Sequence, residues 1–317
     1  MIGPVFLCLK FTVPSLNRLY FKSDNLNKQF MYRKFKRHLN QLLLPVNAGS
    51  QQSHPDDLLE TPFLEDVSSI RLLTYNIQVG ISTSSYRHYL TRSWQHVLPH
   101  RRRQENLDKI AAFLSEYDMV ALQEVDGGSL RSGFVNQVEY LAEEGDFPFW
   151  YQQLNRNFGP VAKHSNGLLS RYRPFQVEEY SLPSKIPGRG VILAQYGKKE
   201  DPLVLVIMHL SLSDSAQKQQ LSFVRDLISD FNHVVLMGDM NTHAEKILHD
   251  SPLQDAGLVA LPGVSHTFPS WRPEKALDHI LVSRGLLVKR SEVVTFPVSD
   301  HLPIALEFSL PEGYYRK

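Results

Sequence analysis

The chain has 317 residues, of which 42% are hydrophobic and 21% are charged, and these values are typical of a globular protein with one large domain or two small ones. Its single cysteine, Cys8, excludes an intramolecular disulfide and a thiolate zinc cluster, and it weakly favours a reducing, cytoplasmic compartment. No apolar run approaches the roughly 18 residues of a membrane-spanning helix. Because Lys10 also breaks the apolar start, we expect neither a signal peptide nor a membrane span.

The net charge of +1 hides a strong asymmetry along the chain. Residues 1–50 contain eight Lys and Arg and one acid, Asp24, so this segment carries +7 and leaves −6 on the rest. Apolar residues recur in it at roughly helical spacing between the basic ones, namely Leu26, Phe30, Phe35, Leu39 and Leu42. Such a segment either packs on its own domain or forms a mobile arm, or it lies as a helix on an anionic membrane or an acidic partner. With the Pro- and Ser-containing segment 45–57, residues 1–57 are predicted to form a basic arm and linker.

Residues 69–317 are predicted to form one domain in which strands and helices are interspersed. Short apolar runs predict strands that begin near residues 70, 118, 147, 165, 175, 190, 203, 234, 276 and 301. Helical periodicity appears in three segments, 104–116, 134–144 and 215–231, and Phe134, Val138 and Leu141 are in phase in the second. Some of the predicted strands are apolar on both faces, and others form adjacent pairs joined by short turns. This mixture predicts an α/β fold, a four-layer sandwich of two packed mixed sheets flanked by helices.

A pair of polar residues, Asp239 and Asn241, follows the apolar run that stops at Gly238. In extended backbone a spacing of two places both side chains on one face. A carboxylate beside an amide suits a hard cation or a phosphate, although the same pair is also common turn chemistry.

Other predicted strand ends carry matching groups: Asn76, Glu124, His209, Asp278, and the adjacent Asp300 and His301. Strand ends of α/β folds commonly form binding sites. Several acids gathered in one mouth would repel each other without a cation, and oxygen ligands favour Mg²⁺ or Mn²⁺ over zinc. The residues alone therefore predict a divalent-metal site.

The order of the motifs TYNIQ, LQEVD, SNGLLSRY, MHLSL, GDMNT, LDHILVS and SDHLP resembles the endonuclease/exonuclease/phosphatase superfamily, whose members have the DNase I-like fold. The resemblance extends from about Arg71 to Phe308, and GDMN followed by SDHxP is its most specific part. The overall likeness is greatest to small bacterial members of uncertain substrate.

The resemblance also implies a role for each site residue. Asn76, Glu124 and Asp300 match the groups around the metal. Asp239 and Asn241 match the pair that orients the attacking water, and His301 matches the catalytic histidine that Asp278 supports. His209 and Asn166 match phosphate contacts. Arg189 and the basic insertion 86–103 either add phosphate contacts at the rim or form a solvated basic face.

These observations predict a divalent-metal-dependent phosphohydrolase, a phosphodiesterase above all. The alternatives are a non-specific or repair nuclease of the same fold and a non-catalytic binding protein. The first strand YNIQVG and the acidic body disfavour the repair nuclease, and the acidic body also disfavours binding of long nucleic acid. The expected substrate is a lipid head group, a small phosphodiester or nucleic acid. We expect a cytoplasmic monomer, with peripheral membrane contact through the arm left open.

Overall fold

The structure of the protein is a computed structural model that describes residues 52–53, 64, 67–81, 101–185, 187–311 and 314. The predicted helix of the basic arm and residues 86–100 of the basic insertion lie outside these ranges. Within the described residues, no helix is long and apolar enough to cross a membrane.

The described residues form thirteen strands and four α-helices. The strands are β1 (Gln52–Ser53), β2 (Ile70–Asn76), β3 (Met119–Asp126), β4 (Phe149–Asn157), β5 (Lys163–Ser170), β6 (Gln176–Ser181), β7 (Gly190–Tyr196), β8 (Leu203–His209), β9 (His233–Asp239), β10 (Leu258–Ala260), β11 (Asp278–Ser283), β12 (Leu287–Val293) and β13 (Ile304–Ser309). The helices are α1 (Arg101–Leu114), α2 (Gln137–Glu144), α3 (Asp214–Ile228) and α4 (Ala244–His249). Two short 3₁₀ helices, Gln78–Gly80 and Leu130–Ser132, follow β2 and β3.

Two mixed sheets are packed face to face. The first has seven strands in the order β1-β4-β5-β3-β2-β13-β12, and the second has six in the order β10-β11-β9-β8-β7-β6. Successive residues of a strand point to opposite faces, so Leu72 joins the core between the sheets while Leu73 packs on the outer side with α1. In the second sheet, Val235 points inward and Val234 outward towards α3. The four-layer α/β sandwich predicted from the sequence is confirmed.

The strand pairing brings the ends that carry the polar groups to one edge of each sheet. β2 runs parallel to β3, and β8 runs parallel to β9, so the carboxyl ends of each pair lie together. β11 is antiparallel to β9 and begins at Asp278, which pairs with Asp239. β13 is antiparallel to β2 and begins just after His301. This topology gathers the candidate site.

Two segments differ from the sequence prediction. Phe134 lies outside α2, which begins three residues later because the Asn136 side chain caps the helix, accepting from the backbone N–H groups of Val138 and Glu139 at 3.1 and 3.4 Å. Within the predicted linker, Gln52–Ser53 adds an edge strand that pairs with β4.

Candidate active site

Asp239 lies at the centre of the polar groups and links the two sheets. Its Oδ2 accepts a hydrogen bond from Asn76 Nδ2 at 3.0 Å and lies 3.3 Å from His209 Nε2. Its Oδ1 accepts from the backbone N–H of Asn241 at 3.0 Å. Burial alone would raise the pKa of Asp239, but the imidazoles of His209 and His301 and the Asn76 amide hold it well below its ordinary value. Asp239 is therefore a carboxylate throughout the physiological range.

The glycine before Asp239 has a steric reason. Gly238 has φ 141°, and a Cβ built on it would lie 1.9 Å from the carbonyl oxygen of Met208 on β8. No side chain fits there. This close approach of β8 and β9 brings His209 and Asp239 side by side in register.

A second set of contacts fixes His301. Its Nδ1 lies 2.7 Å from Asp278 Oδ2, and the same oxygen accepts a hydrogen bond from Thr267 Oγ1 at 2.6 Å. Its Nε2 lies 4.0 Å from Asp239 Oδ2, and the Phe268 ring packs with its centroid 4.9 Å from that of the imidazole. All three hydrogen-bonding side chains, His301, Asp278 and Thr267, are buried.

The charge state of His301 follows from these neighbours. Burial by itself would lower the pKa of His301, but Asp278, Asp239 and Asp300 raise it well above its ordinary value. The histidine is then an imidazolium that donates from Nδ1 to Asp278. Its Nε2–H remains available on the side of Asp239.

Glu124 occupies an irregular position near the end of β3. The register of β3 with β5 shifts between Leu122 and Val125, and Glu124 has φ 55°. A non-glycine residue in this left-handed region costs about 1–3 kcal/mol and is common at functional sites. The bulge leaves the Glu124 side chain half-buried while its neighbours on the strand are buried. The irregular backbone therefore accounts for the partial exposure of the Glu124 carboxylate.

The acids predicted to surround the metal flank Asn76. Gln123, which precedes Glu124, pairs with Asn76 across the parallel β2–β3 ladder. On the other side, Ser299 Oγ donates to the Asn76 carbonyl oxygen at 2.7 Å, next to the buried Asp300. Carboxylate and amide oxygens are ligand types that suit Mg²⁺ or Mn²⁺, and here the Asn76 amide oxygen accepts a hydrogen bond from the backbone N–H of Gln78 at 3.1 Å.

The described residues also contain a second group of potential ligands. Oxygens of Asp239 and Asp278 and a ring nitrogen of His301 lie within 4.8 Å of one another. Asp278 already contacts His301 and Thr267 there, and Asp239 Oδ2 faces Asn76 and His209. The side chains of this group are therefore held by contacts to one another, and the group shares no member with the predicted metal set of Asn76, Glu124 and Asp300.

Asn166, a predicted phosphate contact on β5, lies next to Arg189 and the start of β7. The Asn166 side chain donates from Nδ2 to the carbonyl oxygen of Gly190 at 3.1 Å, and Arg189 immediately precedes that glycine. Burial lowers the pKa of Arg189, and the carboxylates of Asp239 and Glu124 oppose this effect. The guanidinium thus lies in the field of both acids.

Thr267 is the site residue that the sequence did not reveal. It lies in a loop, eleven residues before Asp278, and not at the end of a strand. Its backbone fixes it, since its N–H donates to the Lys275 carbonyl at 2.9 Å and its carbonyl accepts from Leu302 N–H at 2.9 Å.

Two packed mixed sheets with this cluster at their shared edge define the DNase I-like class of α/β proteins. The profile of the Endonuclease/Exonuclease/phosphatase family matches residues 73–301, and the chain belongs to that family. It is accordingly a hydrolase of the class that acts on phosphate esters. No curated protein matches the sequence significantly.

Solved structures share the fold at low sequence identity. The endonuclease/exonuclease/phosphatase from Beutenbergia cavernae is 20% identical, with a TM-score of 0.59 over 77% of this chain and 72% of that one. The mannosyl-6-phosphatase from Bacteroides thetaiotaomicron is 16% identical, with a TM-score of 0.56 over 76% of this chain and all of that one (100%). TDP2 from D. rerio, complexed with a single-strand DNA product, is 16% identical, with a TM-score of 0.56 over 77% and 100%.

Proposed function

We propose that the domain hydrolyses a phosphodiester by in-line attack of a water, with Mg²⁺ or Mn²⁺ bound. The observation that carries this proposal is the pair of linked contacts, Asp278 to His301 and Asn76 to Asp239, at the edge where the two sheets meet. They place an ionised acid and an imidazolium 4.0 Å apart. Such an arrangement can orient a nucleophile and stabilise a phosphoryl oxygen at the same time.

Each residue of the cluster has a definite part in the proposed reaction. Asp239 accepts a hydrogen bond from the attacking water and so directs an oxygen lone pair towards phosphorus, and the ester P–O bond opposite the water breaks as the new P–O bond forms. His301 donates from Nε2 to a phosphoryl oxygen, while Asp278 fixes the ring and stabilises its charge. His209 and Asn241 flank Asp239, where His209 Nε2 faces the Asp239 carboxylate at 3.3 Å and Asn241 Nδ2 donates to the Leu210 carbonyl at 3.0 Å. The remaining N–H groups of the two side chains serve as further donors to the phosphate. Arg189 adds a positive charge at the rim, near Asn166.

The donor set of Glu124, Asp300 and Asn76 would hold the divalent cation. When bound, the ion supplies positive charge to the phosphoryl oxygens. In support of this assignment, both acids flank one amide, and the Glu124 carboxylate is partly open to solvent.

Metal dependence is the most direct test of this assignment. Hydrolysis of bis(p-nitrophenyl) phosphate is expected to disappear in EDTA and to return with Mg²⁺ or Mn²⁺, because the acids by themselves would repel an anionic substrate. The release of p-nitrophenol reports the rate, and p-nitrophenyl phosphate serves as the monoester comparison. Full activity in chelator would exclude the metal role, and no turnover of any phosphate ester would favour a binding protein that keeps the fold.

The predicted arm gives a second test. Deletion of residues 1–50 is expected to leave turnover of a small soluble phosphodiester nearly unchanged, because β1 and all candidate site residues remain. If the intact protein binds anionic vesicles through the +7 charge of this segment, its binding should weaken as salt is added. The truncated protein should then bind the vesicles less tightly than the intact protein. A truncated protein that cannot fold would show that the arm is part of the core.

A further inference from the structure

The described residues expose six large hydrophobic side chains, and four of them lie on two neighbouring segments. Leu130 and Phe134 follow β3, and Phe158 and Val161 lie in the turn between β4 and β5. Their exposed fractions are 37%, 58%, 54% and 43% in the same order. These four residues are called the rim patch below. A concentration of exposed apolar side chains on one surface commonly marks an interaction site.

Backbone hydrogen bonds hold the two segments of the rim patch together. The Leu130 N–H donates to the Pro160 carbonyl at 2.7 Å, and the Arg131 N–H donates to the Val161 carbonyl at 3.4 Å. Within the second segment, the Phe158 N–H donates to the Ala162 carbonyl at 2.9 Å. The two segments that carry the four apolar side chains therefore lie side by side.

The exposure of Phe134 is built into the backbone. Gly133 and Phe134 both have left-handed φ, 67° and 63°, and the Phe134 N–H donates to the Ser129 carbonyl at 2.7 Å. A bulky residue in this region is uncommon and costs free energy. Beneath the segment, the buried Asp126 carboxylate binds the side chains of Ser129, Arg131 and Ser132. The loop thus holds Phe134 outward in a fixed position.

The rim patch lies at the end of the molecule that carries the candidate active site. β3 reaches Asp126 only two residues after Glu124, and Asp126 pairs with His164 near the start of β5. The end of β4 also contacts the segment before Arg189, because Arg156 donates from a guanidinium nitrogen to the Pro187 carbonyl at 2.7 Å. A surface that bound the rim patch would face the mouth of the site.

Positive charges accompany the apolar side chains. The Arg156 guanidinium lies 5.7 Å from the centre of the Phe158 ring, and the half-buried Lys163 begins β5. Aromatic and aliphatic side chains with cations at their edge are the combination that binds the interface of an anionic bilayer. Stacking on nucleic-acid bases would use the two rings, but Leu130 and Val161 have no ring to stack.

We propose that the rim patch docks on the surface of a lipid bilayer that contains anionic lipids, and that docking presents phosphate esters of lipid head groups to the site. The second part rests on the proposed function. The surface differs from the basic N-terminal arm and acts through apolar contact in addition to charge.

Vesicle binding by the full-length protein tests the docking directly. Vesicles of phosphatidylcholine with a minor share of phosphatidylglycerol are used at about 0.5 M NaCl, where attraction by the arm is strongly screened. The variant Phe134→Ser/Phe158→Ser is expected to lose about tenfold or more in partition constant, because it removes two large apolar side chains from the docking surface. The matched control is Leu287→Ser, since Leu287 is 54% exposed but pairs with Ser309 at the opposite end of β13 from the site.

The depth of a spin label in the bilayer reports docking of the rim patch separately from any binding by the arm. A nitroxide is attached to Phe158→Cys or to Leu287→Cys in protein that carries Cys8→Ser, and its accessibility to a polar relaxation agent is compared on vesicles. The label at 158 is expected to be shielded and that at 287 to stay in water. Equal accessibility, no vesicle binding by the wild type, or unchanged binding by the double phenylalanine variant would overturn the proposal.

Two further measurements separate the remaining outcomes. If the double phenylalanine variant lost affinity for a single-stranded oligonucleotide and kept vesicle binding, the rim patch would be a nucleic-acid surface and the lipid proposal would be wrong. Turnover of bis(p-nitrophenyl) phosphate should be nearly equal in the wild type and both surface variants. If none of them turned over any phosphate ester while docking still depended on the phenylalanines, the proposed function would fail and the docking surface would stand.

Discussion

Replacing His301 with alanine is expected to reduce turnover of a soluble phosphodiester at saturating metal by roughly 100-fold or more, the scale of lost acid–base or electrostatic help. The fold should survive, because Asp278 still accepts a hydrogen bond from Thr267 Oγ1 at 2.6 Å and none of the predicted metal groups is removed. Asp278→Asn should cost less but act through the same step, since Asp278 Oδ2 holds the imidazole at 2.7 Å. The double variant should be little slower than His301→Ala, because residues that act as a unit are not additive.

The chain offers a matched control for the loss of a buried histidine that is paired with an aspartate. His233 Nε2 lies 3.0 Å from Asp201 Oδ2, but His233 begins β9 at the end remote from Asp239. His233→Ala should therefore leave turnover within a fewfold of the wild type, with circular dichroism confirming the fold of every variant. If His301→Ala kept near-wild-type turnover, or if its loss and that of Asp278→Asn simply multiplied, the proposed pair would be wrong and His209 would be the better candidate.

The architecture was predictable because it depends on local patterns. Apolar runs of strand length, such as 234–237, and periodic helical faces, such as that of α3, indicate which residues must be buried and on which side. Polar residues that end those runs then had to meet where the strands end. For this reason Asn76, His209 and Asp239 could be grouped from the sequence, and the structure brings them within hydrogen-bond distance or close to it. Their chemical roles remain predictions.

Features that depend on a single backbone torsion or on a distant loop were not predictable. The bulge at Glu124 reads in the sequence as a regular strand, because LQEVD gives no sign of the positive φ. Phe134 fits the helical phase of Val138 and Leu141, yet Gly133 and the Asn136 cap place it before the helix and expose it. The contact of Thr267 with Asp278 requires the loop to fold back over the start of β11, which no periodicity encodes.

The largest expected effect on stability is that of Asp126→Asn. The carboxylate is buried and accepts hydrogen bonds from the Ser129 N–H at 2.7 Å and from the hydroxyls of Ser129 and Ser132 at 2.8 and 2.9 Å, and it forms an ion pair with the buried Arg131. Removing the charge leaves the guanidinium without its counter-ion, because its other side-chain neighbour, His164, has its pKa lowered to about 4 by burial and by Arg131, and is neutral. We expect a loss of about 3–5 kcal/mol in the free energy of unfolding.

The pH dependence of this loss has a definite sign. Burial would raise the pKa of Asp126, but the Arg131 contact, followed by the two serines, lowers it below its ordinary value. A carboxyl whose pKa is lower in the folded than in the unfolded state stabilises the fold above about pH 4 and loses that contribution as the pH falls through the folded pKa. The free energy of unfolding, measured by denaturant, should therefore differ most between the wild type and Asp126→Asn near neutral pH, and this difference should narrow in acid.

The matched control is Asp226→Asn, which breaks an exposed pair with Arg225 at 2.7 Å and should lower the free energy of unfolding by less than about 1 kcal/mol. Equal losses for the two variants, or a gap that widened in acid, would show that the buried pair does not hold the loop that carries Phe134.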